Sequence, residues 1–598
     1  MTLPRADLDF LLFDWLELDR LAARPAFGHL DRADMDAMLD QGFALATSAF
    51  EPHAAKSDAN EPRVVDGRVE LIPEIAQALA AYAEAGFFGM TTPLADGGLG
   101  LPYTLVSAIG GAFSAANAGT NAYPFLTQAA ANMLRLYGDA ELKARFLPPM
   151  VEGRWYGTMC LSEPHAGSSV GDIRTQAVPQ PDGSYHLRGS KMWISAGEHE
   201  LSENIVHMVL ARTPGGPPGT KGVSLFVVPR RHVADDGRVA ARNGVALAGL
   251  NHKLGYRGSV NCLLNFGEDA PAVGYLMGAP HEGMRIMFSM MNEARIGVGM
   301  GATAIGSAGY HAALAYARER TQGRSPAQKN AAAPMQPLVE HADVRRMLLR
   351  AKACVEGALA LCLYTARLVD EQDTGEPAAA VEAKALLDLL TPIAKAWPSD
   401  YALAANDLAI QVLGGAGYTR DFPVERLWRD NRLNAIHEGT NGIQAIDLLG
   451  RKVLGDQGRA LALLSLRVDA TLRRASADPE LAPLAQAVGA WLPAVTSAVR
   501  ALAAVAARGQ LELALANATL FLNVLGHVLV AWLWLDQALV AGRRLREAGL
   551  SEAQSAHLEG KLLAARYFIG WELPGQRHAL TLLERVDRTV YDARPAQL

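Results

Sequence analysis

The chain has 598 residues, too many for one hydrophobic core, so at ~100–200 residues per domain we expect about three to five domains. Half of the residues are apolar, which is enough to build large buried cores. The 56 Lys and Arg residues are balanced by 62 Asp and Glu residues along the whole chain, a net charge of −6, which argues against a nucleic-acid-binding surface.

Cysteine, histidine and N-terminal patterns predict a reducing, cytoplasmic setting. The four cysteines (Cys160, Cys262, Cys354 and Cys362) have no CxxC spacing and are interpreted as buried reduced thiols. The histidines are scattered, so no metal site is expected. The N-terminal run is short and contains acidic residues, unlike the apolar region of a signal peptide.

The first part of the chain has helical periodicity, and the part after it has the pattern of strands. Apolar residues recur at helical spacing over 36–50, 75–85, 121–137 and 141–150, with a Gly/Pro break at 91–102. Short β-type runs follow at 185–188, 205–210 and 223–228, separated by Gly/Pro turns. We therefore expect a helical region followed by a small β-barrel or sandwich.

Helical patterns return after Gly283 and continue to the end of the chain. Long apolar periodicities with Ala-rich faces occur at 284–320, 338–370, 377–413 and 440–449, which suits a four-helix bundle. The polar, Pro-bounded stretch 323–337 is interpreted as an exposed loop. In the helical C-terminal part, 518–535 is nearly long enough to span a bilayer, but Asn523, Gly526 and His527 interrupt it. A buried helix is therefore favoured over a membrane span or surface attachment.

Two segments have residues suited to chemistry. In 436–444 (IHEGTNGIQ), Glu438 lies between polar, flexible residues at the start of an apolar helix pattern, and it is either a catalytic base or a helix-cap carboxylate. In 411–420 (QVLGGAGYTR), a Gly-rich turn would let backbone amides approach a phosphate, although Gly414 could equally be a helix C-cap.

Four blocks in this order resemble the acyl-CoA dehydrogenase family over roughly residues 75–452: 160–168 (CLSEPHAGS), 189–197 (GSKMWISAG), 414–418 (GGAGY) and 437–440 (HEGT). The resemblance implies a mainly α fold with a central β-domain. Its domains would be an N-terminal helical domain (1–155), a β-barrel flavin-contacting domain (156–272), a four-helix-bundle catalytic domain (273–454) and an extra helical C-terminal domain (455–598). The long form resembles the large family members that act on 3-methylmercaptopropionyl-CoA or fatty acyl-CoAs.

The resemblance also implies the reaction, in which an acyl-CoA loses an α-proton and a β-hydride to give the trans-2-enoyl-CoA and reduced FAD. Glu438 would be the base, and its backbone N–H, with an FAD hydroxyl, would polarise the thioester oxygen. His437 stands where relatives commonly have Tyr, and a packing residue is favoured there over a second acid/base group. The substrate contacts implied are Ser168, Arg295, Glu438 and Gly439, with a structural ion pair as the alternative for Arg295.

The implied FAD contacts are Cys160, Leu161, Ser162, Ser168, Trp193, Ser195, Arg320, Gln411, Gly414, Gly415 and Thr440. Trp193 would lie beside the flavin ring and Ser195 near its hydride-accepting N5, unless Trp193 is an ordinary core residue and Ser195, like Ser162, a strand-edge hydroxyl. Arg320 and Gln411 would reach the FAD of a second subunit, so a homodimer is expected; a solvated helix-end residue is the alternative for Arg320.

Two other functions are compatible with the same blocks. An acyl-CoA oxidase would pass electrons to dioxygen instead of an electron-transfer flavoprotein, the acceptor that we favour. A non-catalytic or nucleic-acid-associated relative is disfavoured by Glu438 and by the absence of a basic stretch. The sequence does not predict the acyl chain length.

Overall fold

The structure is a computed structural model that describes residues 3–234 and 236–598. Its helices, in chain order, are α1 (Arg5–Asp9), α2 (Arg32–Leu45), α3 (Ala54–Ala59), α4 (Pro73–Glu84), α5 (Tyr103–Tyr137), α6 (Ala140–Val151), α7 (Gly283–Glu319), α8 (Ala342–Thr374), α9 (Pro377–Leu413), α10 (Val424–Asn431), α11 (Asn441–Ile446), α12 (Arg459–Ser476), α13 (Ala482–Gly489), α14 (Trp491–Ala506), α15 (Leu511–Leu515), α16 (Ala518–Leu545), α17 (Glu552–Tyr567), α18 (Arg577–Glu584) and α19 (Thr589–Asp592). Its strands are β1 (Arg63–Val65), β2 (Arg68–Glu70), β3 (Trp155–Cys160), β4 (Gln176–Pro179), β5 (Tyr185–Ser195), β6 (Asn204–Arg212), β7 (Val223–Pro229), β8 (Arg231–Val233), β9 (Val239–Arg242), β10 (Val245–Leu250), β11 (Asn261–Phe266) and β12 (Ala272–Met277).

Internal contacts divide the chain into two compact units. The first contains the residues up to Arg32, Tyr103–Gly111 and Arg295–Leu598, and the second contains Ala33–Pro102 and Ala112–Ala294. The strands given above all belong to the second unit, which also has helices, whereas the first unit is helical.

The second unit contains the β-barrel that the sequence predicted. Its main sheet has the strand order β10-β11-β5-β12-β7-β6-β3. β4 pairs with β5 and also with β6, so that β5, β12, β7, β6 and β4 form a closed circuit. β3 pairs in parallel with β6, from Trp155 opposite Asn204 to Cys160 opposite Val209. This pairing places the end of β3, where the first family block begins, against the fully buried middle of β6.

α5 begins already at Tyr103, whereas the periodicity indicated a helix only from 121. Residues 103–120 are nearly all buried, so they lack the polar face that produces an amphipathic pattern. The helix is kinked at Asn117, which has φ −160° and ψ 90°. The Asn117 amide donates to the carbonyl of Phe50 at 3.2 Å and accepts from the backbone N–H of Thr120 at 3.1 Å, which caps the second half of the helix.

In the first unit, the bundle helices and the C-terminal helices share one apolar core. The cluster runs through α8 and α9 and through α12, α13, α14, α16, α17 and α18. Trp534 of α16 donates its indole N–H to the carbonyl of Ala353 in α8 at 3.1 Å. α7 lies so close to α9 that a Cβ on Gly299 would be 1.8 Å from the carbonyl oxygen of Ala394. Small residues thus permit the close packing that the Ala-rich pattern predicted.

α16 and the stretch Ala482–Ala506 are long and apolar enough to cross a membrane if length and composition alone are considered. α16 is nevertheless a core helix of the first unit, since 83% of its most apolar window is buried, as predicted for 518–535. The four cysteines are buried and unpaired, which confirms their interpretation as reduced thiols.

Candidate active site

The loop between α10 and α11 presents Glu438 in an uncommon backbone conformation. Glu438 has φ +53° and Gly439 has φ +84°, so two successive residues are left-handed. A non-glycine residue pays roughly 1–2 kcal/mol for this conformation, which persists only where neighbouring contacts impose it. Strain of this kind is concentrated at functional sites, and here it falls on the predicted base.

Gln444 of α11 supplies the contacts that impose this conformation. Its side chain is fully buried, and its amide nitrogen donates to the carbonyl of Glu438 at 3.0 Å and to that of Gly439 at 3.4 Å. Thr440 is the N-cap of α11, and its hydroxyl accepts from the backbone N–H of Ile443 at 3.4 Å. The loop is therefore held from the helix that follows it.

Two cations oppose the effect of burial on Glu438. Burial raises the pKa of the Glu438 carboxyl, while Arg295 and Lys395 act to lower that pKa. Arg295 of α7 is buried and forms an ion pair with Asp447 at 3.0 Å, which is the structural alternative that the sequence left open. Its Nε is buried without a hydrogen-bond partner among the described residues. The carboxylate thus combines raised basicity with a local positive field that favours its charged form.

Lys395 connects α9 to the segment that contains Glu438. Its ammonium is buried and donates to the side-chain oxygen of Asn441 at 2.9 Å, and Asn441 donates in turn to Asp400 at 2.8 Å. Burial lowers the pKa of Lys395 to about 8, although Asp400 and Glu438 act to raise it. Sequence reasoning missed Lys395; an isolated lysine within the apolar pattern of α9 was the available signal.

His437, for which the sequence favoured a packing role over a second acid/base role, makes one specific polar contact. Its Nε2 lies 3.0 Å from the side-chain oxygen of Asn434. Burial and the charge of Lys395 lower the pKa of His437 to about 3, so that the ring is neutral at physiological pH.

In the second unit, the structure brings the first two family blocks together. The backbone N–H of Met192, next to Trp193, donates to the carbonyl of Ser162 at 3.0 Å. The buried Lys191 bonds the carbonyl of Leu161 and the carboxylate of Glu163, both at 2.9 Å. The segment after β3 is therefore fixed against β5.

Trp193 has the exposure expected of a residue that covers a ligand. Its side chain is 61% exposed, and its backbone is left-handed, with φ +66°. This excludes the ordinary core residue that the sequence left open. Nearby, the Ser195 hydroxyl accepts from the amide of Asn261 at 3.0 Å and is half-buried, while Ser168 is exposed. An uncovered indole beside strand-end backbone groups suits a planar aromatic cofactor.

The Cys160 thiol is not available to a ligand. It is fully buried and lies 3.6 Å from the hydroxyl of Thr158 and 3.9 Å from the ring of His207. Burial raises its pKa to about 12, so the thiol stays protonated. Only the backbone of Cys160 remains for a cofactor contact.

The remaining predicted contacts lie at one exposed end of the bundle. Arg320 directly follows α7 and Gln411 is in the last turn of α9; both are exposed, and the helix ends that carry them share an apolar cluster. Gly414 has φ +61° and ψ −135°, a conformation open to glycine alone. A Cβ on Gly414 or Gly415 would meet nothing within 4 Å within the chain, so an incoming group has room there.

Family models match almost the entire chain. Those described as the N-terminal, middle and C-terminal domains of acyl-CoA dehydrogenase match residues 34–154, 158–268 and 281–454, and one described as acetyl-CoA dehydrogenase C-terminal like matches 464–594. The chain is 35% identical over 566 residues to 3-methylmercaptopropionyl-CoA dehydrogenase of Ruegeria pomeroyi, covering 94% of this chain and 95% of the relative. The chain belongs to the acyl-CoA dehydrogenase family. Its members are FAD-dependent oxidoreductases, as the sequence blocks predicted.

Two further members of the acyl-CoA dehydrogenase family extend the comparison. The broad-specificity linear acyl-CoA dehydrogenase FadE5 of Mycobacterium tuberculosis is 34% identical over 606 residues, 98% of each chain. The structure of an acyl-CoA dehydrogenase complexed with FAD from Bacillus anthracis has a TM-score of 0.74 at 19% identity, and the match covers 98% of this chain and 95% of that one. These matches include the C-terminal helices, which confirms the long form that the sequence indicated.

Proposed function

We propose that this acyl-CoA dehydrogenase removes the α-proton of an acyl-CoA thioester with Glu438 and yields the trans-2-enoyl-CoA. The observation that carries the proposal is the setting of Glu438: a left-handed loop held by Gln444, and a carboxyl whose pKa is raised by burial. An α-proton is a weak acid, so the base has to approach within ~3 Å and be stronger than an ordinary carboxylate. Arg295 and Lys395 act to lower this pKa and so favour the ionised carboxylate that accepts the proton.

The backbone around Glu438 has a second role in the proposal. As the α-proton leaves, negative charge develops on the thioester oxygen, and a positioned N–H donor stabilises it. We assign this role to the backbone N–H of Glu438, with Gly439 lining the same side of the substrate. Gln444 fixes the carbonyls of Glu438 and Gly439, so the backbone on the C-terminal side of the Glu438 N–H is held in place before substrate arrives.

FAD supplies the two-electron acceptor of the reaction. The second unit fits it, because the uncovered Trp193 ring can lie against the isoalloxazine, with Ser195 beside it and the backbone of Leu161 and Ser162 at the polar edge. Cys160 contributes through its backbone, and Ser168 through its exposed hydroxyl. The FAD complex of the Bacillus anthracis relative supports FAD as the cofactor.

We propose a homodimer in which the exposed bundle end completes the FAD site of the second subunit. Arg320 and Gln411 offer a cation and an amide, and Gly414 and Gly415 leave room for the phosphate or adenosine part of the cofactor. Thr440, the N-cap residue of α11, is also assigned to the FAD contacts. A chain kept monomeric should therefore lose FAD.

The substrate class is proposed from the relatives. One is named for 3-methylmercaptopropionyl-CoA and another for linear acyl-CoAs, both unbranched at the reacting carbons. We propose an unbranched acyl-CoA substrate for this chain and an electron-transfer flavoprotein as the acceptor.

The test is anaerobic mixing of the FAD-loaded protein with a panel of acyl-CoAs, including straight-chain and 3-thioether substrates. We expect loss of the flavin absorbance with at least one unbranched acyl-CoA and formation of its trans-2-enoyl-CoA. Reoxidation should be slow in air and fast with an electron-transfer flavoprotein. No bleaching with any acyl-CoA would reject dehydrogenation, and rapid peroxide formation in air would identify an oxidase.

A further inference from the structure

Three asparagine side chains form a buried relay in the first unit. Asn406 of α9 donates to the carbonyl of Ile305 at 3.0 Å, and Asn431 of α10 donates to the carbonyl of Ala302 at 3.0 Å and to the side-chain oxygen of Asn406 at 2.7 Å. Asn434 then donates to the side-chain oxygen of Asn431 at 2.9 Å. A backbone carbonyl can only accept, so the two carbonyls of α7 determine which end of each amide is the donor.

His437 lies at the end of this relay. The amide nitrogen of Asn434 is turned towards Asn431, so its oxygen faces the His437 Nε2 at 3.0 Å and can only accept. Nε2 must therefore carry a hydrogen. In the neutral ring, Nδ1 is then the unprotonated nitrogen.

We propose that the Asn406–Asn431–Asn434 relay holds His437 as a neutral Nε2–H donor, and that His437 is thereby a positioning residue for Glu438. The inference rests on the proposed role of Glu438 as the base. His437 directly precedes the left-handed residue, and Gln444 holds the carbonyls that follow it. The strained backbone of Glu438 is thus held on both sides, by the relay upstream and by α11 downstream.

Neutrality of His437 matters because an imidazolium next to Glu438 would lower the basicity of the carboxylate. The charged groups that face this loop are Lys395 and Asp400 from α9, Arg295 from α7, and Glu438 itself. Among these, the positive charge of Lys395 disfavours protonation of the His437 ring, and burial lowers the pKa of the ring in the same direction. The side-chain oxygen of Asn434 is uncharged, so it accepts the hydrogen bond from the ring but stabilises an imidazolium less than a carboxylate would.

The first experiment measures anaerobic flavin reduction by a saturating active acyl-CoA in His437→Phe and His437→Gln holoenzymes. The phenyl ring keeps the volume without the donor, whereas the Gln amide can still donate to Asn434. We expect the flavin of His437→Phe to be reduced about tenfold more slowly, with KM little changed. The reduction rate of His437→Gln should stay within about threefold of that of the unaltered protein. Equal rates for His437→Phe and the unaltered protein would overturn the proposal.

The second experiment follows the pH profile of the same rate in Asn434→Asp. A carboxylate facing the Nε2–H should stabilise the imidazolium and add a new ionisation, with a slower rate on its acid side. The double variant Asn434→Asp/His437→Gln has no imidazole there and should lose this ionisation. An identical new ionisation in both variants, or none in Asn434→Asp, would contradict the assignment.

A third readout does not depend on activity and so separates this inference from the proposed function. In protein labelled with ¹⁵N-histidine, the His437 signals are identified by their absence in His437→Gln. We expect a neutral ring protonated at Nε2 throughout about pH 5 to 8. An Nδ1–H tautomer or an imidazolium would overturn the proposal, whereas failure of every acyl-CoA to reduce the unaltered protein would reject the proposed function alone.

Discussion

Replacing Gln444 by Met should slow catalysis without a matching loss of stability. Native Gln444 makes one hydrogen bond of 3.0 Å and one of 3.4 Å, but its Oε1 is buried without a hydrogen-bond partner in the described part of the chain. Losing the two bonds costs about 1–2 kcal/mol, and removing the unpaired oxygen recovers about 1–3 kcal/mol. We therefore expect the free energy of unfolding to fall by no more than about 1 kcal/mol.

The substitution also releases the loop that contains Glu438, and removal of the unpaired oxygen does not offset this effect. Without Gln444, Glu438 is free to leave a left-handed conformation that costs roughly 1–2 kcal/mol. A shift of about 1.4 kcal/mol leaves the native arrangement populated about a tenth of the time. Anaerobic flavin reduction by a saturating acyl-CoA should therefore slow about tenfold, while the melting temperature stays nearly unchanged.

Gln537 provides a matched control for this substitution. It is also fully buried on a helix, its amide donates to the carbonyl of Leu533 at 3.3 Å, and its Oε1 has no hydrogen-bond partner among the described residues. Gln537→Met should affect stability as little as Gln444→Met does and leave flavin reduction unchanged. A native reduction rate in Gln444→Met, or an equal loss of rate in both variants, would refute the reasoning.

Three further predictions concern charge, backbone conformation and the cofactor. Lys395→Met removes a cation that lowers the pKa of Glu438, so the acid limb of the flavin-reduction rate should move to higher pH; a limb that stays in place would be inconsistent with this coupling. Gly414→Ala should lower FAD content and dimer content on size-exclusion chromatography, because its backbone costs a Cβ-bearing residue about 1–3 kcal/mol; unchanged FAD and dimer content would contradict this. Trp193→Ala should weaken FAD binding while the melting temperature of the FAD-free protein holds, since the ring is 61% exposed; retention of FAD with native affinity would argue against the flavin contact.

The sequence predicted the parts of the fold that depend on local pattern. Periodic apolar residues located α7, α9 and the barrel strands because each of these elements has one consistently buried face or a short buried run. The start of α5 was missed because a segment buried on all sides has no period to detect. Helix type and order are thus readable from spacing, while the extent of a fully buried helix is not.

In the candidate site, too, the residues within a contiguous block could be predicted, whereas the tertiary contacts could not. Glu438 lies in a short contiguous block, so its chemistry could be proposed from the sequence and the family resemblance. Lys395 and the Asn406–Asn431–Asn434 relay act on it from positions separated from it along the chain, and a relay of amides has no sequence signature. The left-handed backbone of Glu438 also depends on the buried side chain of Gln444, a tertiary contact that spacing does not predict.

The most direct test of the central claim is anaerobic flavin reduction by an active acyl-CoA in Glu438→Gln holoenzyme. The substitution keeps the shape of the side chain and removes its capacity to accept the α-proton. We expect the variant to bind FAD and to be reduced at least about a hundredfold more slowly than the unaltered protein, the contribution typical of a general base. Reduction at the rate of the unaltered protein would contradict the assignment of Glu438 as the base.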